Sequence, residues 1–192
     1  MVAVDCGIRQ SSIRCLTARG CNVTIVPYDT KAETVLSLKP DGLFLSSGPG
    51  DPQACPQVVE LTKALWGKLP IFGVGLGCQI IALAAGGSTY KMKHGHNGGN
   101  ISVIHSGEIK REITSQSHSY AICEDSLAGT GLTVTHRHLL DHTVEGVKQE
   151  EKQVLGVQHY PENMPGADDC VYVYDDFVQM MAKNSEGGNH NA

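Results

Sequence analysis

The sequence predicts one α/β domain: an open sheet with a parallel centre and an antiparallel extension, helices on both faces. Three observations carry this. Through the first half, short apolar runs alternate with amphipathic stretches of about ten residues, the rhythm of βαβ units with parallel strands. After Gly86-Gly87 the pattern changes to short β-rich pieces separated by turn residues, which suits antiparallel strands. A length of 192 residues with 41% hydrophobic content supports one sizeable core and is too short for two large ones.

Taken in order, Val2 to Asp5 is a short apolar strand. Ser11 to Arg19 is a helix that turns Ile13, Leu16 and Ala18 inward and stops at Gly20. Asn22 to Val26 is β-branched and extended, Lys31 to Leu38 is helical, and Gly42 to Ser46 is a third strand. The loop Ser47-Gly-Pro-Gly-Asp-Pro52 leads to a helix over Pro56 to Trp66. Ile71 to Val74 is the central buried strand, followed by a glycine turn and a helix from Leu76 to about Ala85. Strands are then expected at 88–92, 101–105, 112–115, 120–123, 132–135, 144–148 and 154–159. A last helix spans 169–183, so residues 1–184 form the domain and 185–192 a disordered tail.

The net charge of −5 supplies no basic field for nucleic acid or an anionic membrane. No apolar run has the length of a membrane-spanning helix, and the opening strand pattern leaves no room for a signal or transit peptide. Seven scattered cysteines, without a CxxC pair, predict reduced thiols in an intracellular compartment, cytoplasmic ahead of mitochondrial. No cofactor or metal is expected. His94, His96, His136, His138 and His142 are read as solvated loop histidines, because no carboxylate or cysteine at an organised spacing completes a ligand set.

The functional signal is the stretch from Pro70 to Gly86. A buried strand, a tight turn at Gly75 and a helix form the elbow on which enzymes mount a nucleophile. Gly73-x-Gly75-x-Gly77 resembles the Gly-x-Cys-x-Gly pattern of the class I glutamine amidotransferases, which implies their flavodoxin-like fold. Further matching blocks run in the same order: Asp5 to Ile8, Val26 to Asp29, Phe44 to Pro52, Ala82 to Met92, Thr114 to Ala121 and Gly156 to Glu162. Within the family the chain is most similar to the glutaminase domain of carbamoyl-phosphate synthetase.

That resemblance implies a Cys-His-Glu triad, in which the cysteine attacks the amide of glutamine and the histidine is its base. The corresponding positions are Gly75, Tyr160 and Glu162, so the thiol and the imidazole are both replaced. A phenol titrating near about pH 10 is a poor base at neutral pH. Cys78 lies a turn further into the helix, and His159 points to the opposite face of its strand from Tyr160, so neither is expected to substitute.

The glutamine pocket is implied by Gly48, Gly50, Leu76 and Gln79, which are retained. Ser117, Ser119 and Tyr120 stand where the family has Asn, Gly and Phe, which argues against tight glutamine binding. The expectation is therefore a catalytically inactive family member, a structural or interaction subunit with protein partners in a larger assembly. The alternatives are a glutamine hydrolase with a rebuilt site, supplying ammonia to a synthetase-type partner, and a subunit that senses glutamine without chemistry.

Overall fold

The computed structural model describes residues 1–107, 110–162 and 170–188. The first half forms as the pattern predicts: β1 (Val2–Asp5), α1 (Gln10–Ala18), β2 (Thr24–Pro27), α2 (Ala32–Ser37), β3 (Leu43–Leu45), α3 (Pro56–Leu65), β4 (Ile71–Val74) and α4 (Leu76–Ala84). The second half comprises β5 (Thr89–His105), β6 (Arg111–Ile122), β7 (Thr133–His138), β8 (Val144–Gln149), β9 (Val154–Val157) and α5 (Tyr172–Gly188). All the strands belong to one nine-stranded sheet, ordered β2-β1-β3-β4-β9-β8-β6-β5-β7, with β7 also paired to β8.

Side chains alternate across the strands and divide the core in two. Val2, Val4, Leu43, Leu45 and Ile71 face α3 and α4, packing on Val58, Leu61, Leu65 and Ile80. Ala3, Phe44, Phe72 and Val74 face the other way, against Leu16 of α1 and Val173, Tyr174 and Phe177 of α5. Both faces of the central strands are buried, which is why these runs are continuously apolar.

Four expectations need correction. The segment 154–159, read as part of the antiparallel extension, supplies β9, which pairs parallel to β4 and antiparallel to β8. It is the junction between the two halves of the sheet, and a short apolar run does not encode the direction of its neighbour. The separate strands 88–92 and 101–105 are one long strand, as are 112–115 and 120–123. Glycines at 95, 98 and 99 mark register shifts within the β5–β6 pairing rather than breaks. Ala18 is exposed, and α1 buries Ser12 and Leu16 instead. His96, His136 and His138 are buried, not solvated, because β5 and β7 place them in the interior of the extension. The expected tail begins inside the span of α5, and residues 189–192 lie outside the described residues.

Candidate functional site

The site is built at the carboxyl ends of β1, β3 and β4, where open α/β sheets place their ligands. The elbow follows β4 directly. Gly75 has φ 58° and ψ −111°, a conformation that side chains strongly disfavour. Its N–H donates to the Val157 carbonyl at 2.8 Å, and its own carbonyl accepts from the amides of Cys78 and Gln79, which starts α4. Two residues on, a Cβ at Gly77 would collide with the Leu45 carbonyl, so only glycine lets α4 pack this closely on β3. Opposite the elbow, the loop after β3 is held by Ser46, whose Oγ accepts from the Cys6 amide at 2.9 Å and donates to the Ser47 carbonyl.

Between these elements lies a cavity of about 310 Å³. Every pocket residue that the sequence suggested lines it: Gly48, Gly50, Leu76, Gln79, Ser117, Ser119 and Tyr120, together with Gly75 and Tyr160. Pro49, Lys91, Asn97, His118 and Gln158 complete the wall and are not among the pocket residues the sequence suggested. Pro49, Lys91, His118 and Gln158 lie within the matching blocks and so carried a signal, whereas Asn97 is brought in by the β5–β6 pairing, which no local pattern specifies. Gln79 is buried, and its Nε2 donates to the Tyr120 carbonyl at 2.7 Å and to Gln158 Oε1 at 2.9 Å. Its amide therefore braces the pocket wall.

The three triad positions part company. No side chain projects from Gly75. Tyr160 lines the cavity, its hydroxyl 3.4 Å from the Ser117 carbonyl and the Arg9 guanidinium 4.4 Å from its ring centre. Burial raises its pKa above the ordinary tyrosine value, so it stays a neutral phenol. Glu162 is engaged elsewhere, accepting from Ser12 Oγ at 2.6 Å and Tyr174 Oη at 2.9 Å. Cys78 is fully buried against Gly156 of β9, and burial pushes its thiol up, away from the reactive thiolate. His159 is also fully buried, and its ring packs edge-on to His136 at 5.7 Å. The arrangement can enclose a small polar molecule, and among the described residues no cysteine lines the cavity.

The family model described as Glutamine amidotransferase class-I matches residues 2–180. The chain belongs to this family. Among curated amidotransferase relatives, the carbamoyl phosphate synthase small chain of Listeria innocua is 46% identical over 190 residues, covering 99% of this chain and 52% of that protein. The protein of the same description from Clostridium acetobutylicum is 47% identical over 180 residues, covering 94% and 51%. This amidotransferase chain thus spans about half the length of the curated relatives it matches. A solved structure described as a putative GMP synthase subunit, from Thermoplasma acidophilum, superposes with a TM-score of 0.78 at 23% identity, covering 98% of this chain and 97% of that one, a likeness of fold. Among the described residues, no helix is long and apolar enough to cross a membrane.

Proposed function

We infer that this amidotransferase-fold chain does not hydrolyse glutamine and acts as a non-catalytic subunit of a larger assembly. The carrying observation is Gly75 at the tip of the elbow, where the family's chemistry needs a thiol. Tyr160 as a neutral phenol and Cys78 sealed beneath β9 support the same reading. The relatives named as small chains of carbamoyl phosphate synthase make a synthase-type large subunit the partner class to test first.

The test is ammonium release from glutamine by the full chain, beside its Cys78→Ala variant. No release above a protein-free control is expected from either. Release by the parent protein that Cys78→Ala abolishes overturns the proposal and makes Cys78 the nucleophile. The open cavity and the identity to synthase small chains favour this second reading, a glutamine hydrolase with a rebuilt site. A glutamine-sensing role is separated by calorimetry: millimolar or tighter binding without ammonium release supports a sensor.

A further inference from the structure

We propose that Cys170, His159 and Glu112 form a buried site for a divalent transition metal of zinc type, with His136 as the fourth ligand. Donor atoms of the first three lie within 4.8 Å of one another, and all three residues are buried. Glu112 comes from β6, His159 from just beyond β9, and Cys170 from just before α5. His136 of β7 brings Nε2 to 3.8 Å from Glu112 Oε2, and the Cys170 thiol donates to the same oxygen at 3.2 Å. Ligands about 2.0–2.3 Å from a tetrahedral zinc stand about 3.4–3.7 Å apart. Glu112, His159 and Cys170 therefore need only a modest contraction, whereas His136 must also exchange the 3.1 Å contact between its Nε2 and the Tyr172 hydroxyl for the metal.

The observation that asks for a ligand is His159. Its ring is fully buried, and neither nitrogen has a hydrogen-bond partner among the described residues. Buried polar atoms are ordinarily satisfied, so an imidazole with both nitrogens idle beside a carboxylate and a thiol needs a partner. The outer face of Glu112 is already fixed: His105 Nε2 and Lys110 Nζ sit 2.8 and 2.9 Å from Oε1, which leaves Oε2 to the site. One thiolate and one carboxylate balance a divalent charge, and the thiol's proton is released on binding. Sulfur and imidazole donors select zinc over magnesium or calcium.

The experiment is a cobalt(II) titration of the full metal-free chain, read by absorption, with zinc competition and thermal melting. One equivalent is expected, with a thiolate-to-cobalt charge-transfer band and a tetrahedral visible band, both erased by zinc. Zinc at about 100 times its Kd should raise the melting temperature of the unmutated chain by about 5–10 °C. His159→Phe keeps the buried shape and should abolish uptake of the equivalent; Cys170→Ala should remove the charge-transfer band. Absence of stoichiometric uptake by the folded parent chain overturns the proposal. So does uptake that survives His159→Phe and is lost in His96→Ala, which would place the metal at the separate cluster of His96, His118 and Glu145.

Discussion

Replacing Gly75 by cysteine tests whether the elbow is relaxed in its present form. With φ at 58° and ψ at −111°, Gly75 lies outside the small left-handed region that other residues enter. Holding a side chain there costs about 1–3 kcal/mol. The added Cβ would also stand 3.3 Å from Ser47 Cβ and 3.7 Å from Tyr160 Cε1, so the loop after β3 must yield by a few tenths of an ångström. For a domain of this size, about 2–4 °C of melting temperature is lost per kcal/mol. Gly75→Cys and Gly75→Ala should therefore both melt about 2–12 °C below the parent protein by differential scanning calorimetry. The alanine variant isolates the backbone effect from any role of the thiol. A melting temperature equal to or above the parent's for both variants refutes the strain argument, and with it the claim that the glycine relieves the elbow.

Two further perturbations follow from the buried polar groups. His136 is held neutral down to about pH 3, against an ordinary value of 6.5. As pH falls below 6.5 the unfolded chain takes up a proton that the folded chain refuses, so stability is full above that pH and falls on acidification. At pH 5 this amounts to about 2 kcal/mol. The pKa of His96 is raised by hydrogen bonds to Glu145 and Asp141, despite burial, and it works in the opposite sense. His159 reinforces the loss. Urea unfolding in chelator should therefore show a stability slope between pH 6.5 and 5 that His136→Gln flattens; an unchanged slope sinks the assignment. Glu162→Ala should lower stability by about 1–3 kcal/mol in the same assay, because the Ser12 and Tyr174 hydroxyls lose their acceptor in the interior. An effect within about 0.5 kcal/mol would mean that Glu162 is not a structural tie.

How much of this was legible follows from the range of each signal. The elbow was readable because its strand, turn and helix are contiguous from Ile71 to Ala84, and the period of the apolar pattern changes at Gly75. The expected pocket residues were readable because each sits within a recognisable block or in the elbow stretch itself. The direction of β9 was not, since its parallel pairing with β4 depends on a partner some eighty residues away, joined through Ile71 and Val154. The buried histidines were not either: Glu112, His136, His159 and Cys170 lie on four separate segments that only the sheet's closure through β7 and β8 brings together. Ligand spacing along the chain detects sites built on one hairpin or helix and is blind to this kind.

The order of His159 and Tyr160 decides which ring enters the pocket. Side chains alternate across an extended strand, so exchanging neighbouring residues sends each to the opposite face. Where the resembled family orders Phe-His before Pro-Glu, this chain has His159-Tyr160. The phenol therefore enters the cavity beneath Arg9, and the imidazole enters the interior beside Glu112, Cys170 and His136. The same order that leaves a phenol in the pocket supplies the unsatisfied ring of the proposed metal site. Glu162 works elsewhere, tying the segment after β9 to α1 and α5. A glycine at the elbow, a phenol in the cavity and an imidazole in the core, with Glu162 kept as a tie, are the features on which the proposed loss of glutamine chemistry rests.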